Sequence, residues 1–265
     1  MVNQLLAQAI AEARSAGAGT SSGGTRGTGT PQHCKVASDL DTVIDAWRLV
    51  YTIYRRAGLI PANSCRLHTV VQAVGKRTAV VFSHSGASLA STLTAVTDGG
   101  ALGKGLPAAD AYRDELADLR NQGRRLMEVC LIADRRRHFV RVHESILELM
   151  RHAFYFALHM DVSDVLIEVD PDYCGVYRRL FGFEPFGPVR PFPAMNGRFA
   201  TLMRLDLDAH LAKRPLHPVI TGYLGCELAA KVFENRFAFD PGEVADTVLG
   251  QYLRDRQDPG PKPAA

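Results

Sequence analysis

The chain has 265 residues and a mass of 29.0 kDa, is 46% hydrophobic and 22% charged, and carries a formal net charge of +3. This composition excludes a disordered or collagenous chain and is too weakly basic for a dedicated nucleic-acid binder. Charges, glycines or prolines interrupt every apolar run before the roughly 20 residues a membrane-spanning helix needs, so no span is expected.

Five cysteines (Cys34, Cys65, Cys130, Cys174 and Cys226) are scattered without a C-x-x-C pair, so neither a disulfide framework nor a zinc knuckle is written here. Reduced thiols, together with an opening that lacks the basic and apolar blocks of a secretory signal, point to the cytoplasm. Leu5, Leu6, Ala9, Ile10 and Ala13 recur at helical spacing, and GAGTSSGGTRGTGT (17–30) then buries too little to offset its ordering entropy. Residues 1–32 are therefore expected to be a helix and a flexible linker. A short strand, HCKVAS, leads to Asp39, a natural helix cap. Behind it Val43, Ala46, Trp47, Val50, Tyr51 and Tyr54 share one helical face as far as Gly58, and the aromatics on that stripe read as core. TAVVFS, a turn at His84-Ser85-Gly86, and ASLASTLTAV have the pattern of an antiparallel hairpin. A glycine-rich loop (98–107) precedes a short helix with Tyr112, Leu116 and Leu119 on one face, ending at Gly123.

LMEVCLIA (126–133) is an almost continuous apolar run of strand length, which predicts a central strand covered on both faces. Arg135, Arg136 and Arg137 follow it directly. A long helix is predicted over about 139–160, a second buried strand at VLIEV (165–169), a short helix at YCGVYRRLF, and a last strand at RFATLMRLDL. Residues 219–235 have helical spacing, Asp240-Pro-Gly-Glu243 resembles a capped helix start, and a final helix carries Val244, Val248, Leu249 and Tyr252. The expected organisation is an α/β domain at 33–207, a helical extension at 208–256 and a disordered tail at 257–265.

Glu128 stands out, because an ionised carboxylate in an apolar strand is costly unless it is paired or used. The pattern leaves two readings open: an ion pair with Arg124 or Arg125, or an acid–base group. The nine histidines lack metal-ligand spacing, and Ser83-His84-Ser85 has no G-x-S-x-G around it, so metal and serine hydrolysis are set aside and no metal is expected.

The order strand, helix, hairpin, central strand, long helix, strand, short helix, strand resembles the GNAT acyltransferases. AWRLVYTIYRRAGLI (46–60), STLTAVTD (91–98), GLPAADAYRDELADLRNQGRRLMEVCLIAD (105–134) and VYRRLFGFEPFGP (176–188) together resemble the FeeM-type N-acyl amino acid synthases, which are related to the LuxI-type autoinducer synthases. The resemblance covers about residues 33–207. It implies a GNAT-like mixed twisted sheet flanked by helices, to which the C-terminal helices are added, and transfer of a fatty acyl group from acyl carrier protein to the amine of an amino acid. Two positions depart from the wider pattern: Leu131 replaces the Arg of the autoinducer synthases, and Tyr177 lies five residues before Gly182 rather than four.

Under this resemblance Glu128 is catalytic, the base that deprotonates an amine with a pKa of about 8. Arg135, Arg136 and Arg137 are donor-binding, facing an acidic carrier helix. Arg48 is a candidate for the acceptor's carboxylate, and Thr92, with Thr94, for the cleft wall. Phe154, Phe156 and Phe181 are candidates for an acyl tunnel. Coenzyme-A-dependent members of the fold usually carry Q/R-x-x-G-x-G/A after the central strand, to grip pyrophosphate. The corresponding Asp134-Arg-Arg-Arg-His-Phe139 has no glycine, which favours a carrier protein as donor. No bound cofactor is expected; the acyl-phosphopantetheine thioester, on carrier protein or coenzyme A, is a substrate. The alternatives are a coenzyme-A-dependent acetyltransferase of the same fold and a non-catalytic module that binds an acyl chain or a carrier protein.

Overall fold

A computed structural model describes residues 34–99, 105–135, 139–192, 195–212 and 233–257. The expected N-terminal helix and linker (1–32), Arg136 and Arg137, most of the helix expected at 219–235, and the tail after Gln257 lie outside the described residues. Strand β1 (Cys34–Val36) is followed by helix α1 (Leu40–Arg56) and the hairpin β2 (Thr78–Ser85) and β3 (Ser88–Thr97). Next come α2 (Arg113–Asn121), β4 (Leu126–Asp134), α3 (Phe139–His159), β5 (Asp164–Val169) and α4 (Cys174–Phe181). The short strands β6 (Glu184–Pro185) and β7 (Arg190–Phe192), then β8 (Arg198–Asp206), α5 (Leu207–Ala212) and α6 (Val248–Gln257), complete the described elements.

One eight-stranded sheet has the order β1-β2-β3-β4-β5-β8-β6, with β7 also paired to β8. Among the described residues only β4 and β5 run parallel; the other pairs are antiparallel. β4 is thus central, and side chains that alternate along it enter two separate cores. On one face Val81, Leu93, Met127, Val129, Val165 and Ile167 pack with Met150, Phe154 and Ala157 of α3. On the other, Val80, Val96, Leu126, Leu166 and Leu202 pack with Trp47 and Val50 of α1 and with Phe239, Leu249 and Tyr252 from the C-terminal segment. Two covered faces explain why the β4 sequence is an unbroken apolar run rather than an alternating one.

Asp39 starts α1 as expected, its carboxylate accepting the Thr42 N–H at 2.7 Å. The hairpin differs in detail from the sequence expectation. Pairing continues through His84 to Ser85↔Ser88, so the turn is Gly86-Ala87, with Gly86 at φ +62° supplying the left-handed residue a tight turn needs. The final helix is also interrupted. Asp240 and Glu243 cap each other reciprocally around a 3-10 turn, Pro241–Val244, and α6 begins only at Val248.

A charged clamp fixes one end of the parallel pair. Asp164, with no exposed surface, accepts from Arg124 Nε at 2.5 Å and Arg204 Nε at 2.6 Å, and both arginines also bond Asp206. Buried charges persist only when so paired. The clamp joins the start of β4, the start of β5 and the end of β8, leaving the opposite end of the β4–β5 pair free to part.

Candidate active site

β4 and β5 pair only from Leu126↔Asp164 to Val129↔Ile167. Beyond Val129 the two strands separate. On the other edge of β4 the register against β3 steps from Thr94↔Cys130 to Thr92↔Ala133, so Leu131 and Ile132 together oppose Leu93. This is a β-bulge, which bends its strand and redirects backbone groups. Leu131 adopts φ +51° within it, a conformation that is costly for a leucine. A pocket of about 120 Å³ fills the gap, with walls from Tyr54, His68, the bulge residues and Tyr177 and two carboxyl groups, Glu128 and Glu168.

Glu128 is 1% exposed, and its Oε2 accepts the backbone N–H of Ala108 at 2.7 Å. That donor belongs to the 3-10 turn Pro107–Asp110, so the GLPAAD segment anchors the carboxyl from outside the sheet. Arg124 is taken by Asp164, Asp206 and Asp208, and Arg125 by Asp161, so the ion-pair reading of Glu128 finds neither of its partners. Burial, reinforced by the nearby charge of Glu168, holds the Glu128 carboxyl well above the ordinary carboxylate range.

Glu168 lies two residues beyond Leu166, the parallel partner of Glu128, and therefore on the same face of the sheet. Its Oε1 is buried with no hydrogen-bond partner among the described residues. Burial, then the charge of Asp110, push its pKa up to about 8. Burial thus holds both carboxyls toward their protonated forms, and a carboxyl titrating near 8 is matched to an amine. Burial also raises the Cys130 thiol and the Tyr54 and Tyr177 hydroxyls, so these remain protonated. His68 is pushed down to about 4 by burial and then by the Arg256 charge, so it is neutral in this wall.

The remaining sequence candidates lie elsewhere. Arg135 is exposed at the end of β4, its N–H donating to Ala90 O at 2.8 Å. Arg48 is on the solvent side of α1, paired with Asp45 at 3.3 Å, and does not line the pocket. Thr92 is buried in the sheet, its hydroxyl donating to Val81 O at 2.9 Å, while Thr94 accepts from Trp47 Nε1 at 3.2 Å. Neither threonine lines the pocket. Phe154, Phe156 and Phe181 belong to the core on the α3 face, and Ile53, Tyr54, Leu131 and Ile132 supply apolar wall instead.

Sequence reasoning passed over Glu168, although VLIEV carries the same signal as LMEVCLIA: one acid in a buried strand. Tyr177, despite its displaced spacing, does line the pocket. Among the described residues no cluster of His, Cys, Asp and Glu could hold a metal ion, and no helix is long and apolar enough to cross a membrane.

FeeM, an N-acyl amino acid synthase from uncultured soil microbes, has a solved structure similar to this one, with a TM-score of 0.57 at 23% identity over 67% of this chain and 91% of that one. The AHL synthase LasI is similar at a TM-score of 0.51 and 13% identity, over 68% of this chain and 91% of its own. At these identities the likeness establishes the fold as GNAT-like. No curated protein sequence matches the chain. The sequence does match the family of the N-acyl amino acid synthase FeeM over residues 45–206, most of the α/β domain and more than half of the chain. That match, on a GNAT-like sheet whose central strands part around buried carboxyls, makes the protein an acyltransferase that belongs to the FeeM family.

Proposed function

We propose that the protein moves a fatty acyl group from acyl carrier protein to the amine of an amino acid, giving an N-acyl amino acid. The observation that carries this reading is Glu128, a carboxyl anchored on the Ala108 N–H in a mainly apolar gap between parting strands. The thioester carbonyl lies in the gap. An amine with a pKa of about 8 is mostly protonated at neutral pH and cannot attack, so the reaction needs a base, and Glu128 supplies that function. The thiolate leaving group, with a pKa of about 8.5, departs without a dedicated acid. Backbone N–H groups at the β4 bulge are donors for the developing oxyanion.

Arg135, with Arg136 and Arg137, attracts the acidic surface of the carrier and steers the donor to the end of β4. The absence of glycine after Asp134 supports a carrier-borne phosphopantetheine over coenzyme A. Arg48 and Thr92 lie away from the gap, so acceptor contacts are sought among the residues that line it. Such a reaction belongs in the cytoplasm with its carrier.

The test is product detection by mass spectrometry after incubation with a long-chain acyl carrier protein or the matching acyl-coenzyme A, each with a pool of amino acids. N-acyl amino acid from the carrier donor is expected. Product from coenzyme A alone would establish the coenzyme-A-dependent alternative. Carrier binding without product from either donor would establish a non-catalytic module.

A further inference from the structure

A second cavity, about 310 Å³, shares Glu168, Leu59, Phe192 and Met195 with the first. It lies where the end of β5 meets the β7–β8 hairpin, beyond the last pair Val169↔Thr201. Its wall carries Asp170, Asp172 and Arg198, and Phe199 stands 61% exposed beside them. Glu168 is thus the ionisable group common to a mainly apolar cavity and a mixed polar and apolar one.

We infer that the second cavity is the acceptor site, that Glu168 is a catalytic residue meeting the acceptor's amine, and that Arg198 takes the acceptor's carboxylate. The inference rests on the acyl-transfer reading above and adds to it the acceptor's position and class. Three observations carry it. First, Glu168 Oε1 is buried and unpartnered, a state that costs free energy until a donor arrives, and an ammonium group is such a donor. Second, a nitrogen held there adjoins both cavities, so it reaches a carbonyl in the first while the rest of its molecule occupies the second. Third, the wall holds three carboxyls, Glu168, Asp170 and Asp172, against the single guanidinium of Arg198. One amine and one carboxylate are accommodated, and a second carboxylate is repelled. The acceptor class is an α-amino acid with an uncharged or cationic side chain, and dicarboxylic amino acids are excluded.

The proton count closes. The ammonium gives its first proton to Glu128 by way of Glu168, and the pair returns it to solvent. Its freed lone pair forms the C–N bond with the thioester carbonyl carbon. The second proton passes from nitrogen to the Glu168–Glu128 pair, the C–S bond breaks to release the thiolate, and the free thiolate afterwards takes up that proton. Amide, thiol and one released proton result. The titratable and charged groups around Glu168 are Glu128 and Cys130 on β4, Asp110 on the 3-10 turn and Tyr112 just after it, with Tyr54, His68 and Tyr177 in the first cavity and Asp170, Asp172, Tyr173 and Arg198 in the second.

The experiment uses the full-length protein with Glu168→Gln and Arg198→Gln, a long-chain acyl carrier protein as donor, and alanine, lysine, aspartate and ethylamine as acceptors, from pH 6 to 9.5. Glu168→Gln is expected to bind the acylated carrier like the parent while kcat/KM for alanine falls about 100-fold or more at pH 7, a gap that narrows at high pH where free amine forms unaided. Arg198→Gln, at an exposed position, is expected to raise KM for alanine about 10-fold or more and to leave KM for ethylamine unchanged. Aspartate should react at least about 10-fold more slowly than alanine or lysine with the parent and gain on them in the double variant of Asp170→Asn and Asp172→Asn. Parent-like kinetics and pH profile in Glu168→Gln, or an Arg198→Gln effect equal for alanine and ethylamine, would overturn the inference and leave acyl transfer standing. If Glu168→Gln does not fold, Arg198→Gln and the aspartate comparison decide. Should the parent make no amide from any donor, the acyl-transfer reading falls and this inference falls with it.

Discussion

Glu128→Gln separates chemistry from folding at the centre of the sheet. The amide oxygen keeps the size and position needed to accept the Ala108 N–H, now at 2.7 Å, so the Pro107–Asp110 turn stays docked. What is lost is basicity. General bases contribute about 100- to 10,000-fold, or roughly 3–5 kcal/mol of barrier. Single-turnover transfer at pH 7 should slow by that factor, with KM for the acceptor and binding of the acylated carrier close to the parent, and the deficit should shrink as pH rises. Stability should move the other way. The folded-state pKa of Glu128 is raised, so its contribution to stability is present in full only below the unfolded value of 4.5 and declines as pH rises above it. Glutamine removes that decline, and the variant should match or exceed the parent's melting temperature at neutral pH. Normal turnover at neutral pH would refute the catalytic role. Unfolding of the variant would refute the claim that the carboxyl is retained at a cost to stability.

Three further outcomes follow from the same structure. Glu168, raised from 4.5 to about 8, contributes stability below about pH 4.5 that is lost as pH rises through about 8; a parent melting temperature that falls across this window, flattened in Glu168→Gln, is expected in a differential scanning series. Replacing Arg135, Arg136 and Arg137 by Ser should raise KM for the acyl carrier protein about 10-fold at low salt and remove most of its salt dependence, whereas unchanged constants would make the triplet a merely solvated face. Tyr252 OH, on α6, accepts the Thr69 N–H at 3.3 Å and donates to Thr69 O at 3.2 Å, and His68 beside it lines the pocket. Tyr252→Phe should cost about 1 kcal/mol in urea unfolding and raise KM for the acylated carrier, and a variant changed in neither would show that α6 does not position that wall.

Much of the architecture was legible because local signals and burial agree. The stripe from Val43 to Tyr54 and the cap at Asp39 produce α1, and the unbroken run of LMEVCLIA produces the central strand. Elements with little side-chain periodicity escaped. β6 has two residues and β7 has three, too few for an alternation, and each exists because the edge of β8 offers unpaired backbone groups. The bulge at Leu131 was equally silent, since a leucine at φ +51° is imposed by the register of β3 against β4 and not by its own preference. The acceptor candidates Arg48 and Thr92 show a different limit. Helical periodicity places Arg48 off the apolar stripe but cannot say which way that side looks, and a strand's alternation cannot say that the Thr92 hydroxyl is consumed by Val81 O.

Glu168 was missed for another reason. Composition exposes an acid in an apolar strand, yet only the register of β4 on β5 puts the two acids on one face, two positions apart along neighbouring strands. That placement matters because of where the cations are. Arg124 and Arg204 are drawn onto Asp164 and Asp206 at the closed end of the parallel pair, and Arg125 onto Asp161. None of the three is left for the other end. Like charges in low dielectric then have two ways out: to hold a proton between them, or to bind a cation. An amine substrate offers both at once, arriving as the missing cation and leaving its proton behind. Drawing Arg124, Arg125 and Arg204 to the closed end of β4 and β5 thus leaves Glu128 and Glu168 without an ion-pair partner among the described residues, and the proposed amine supplies the cation that this pair lacks.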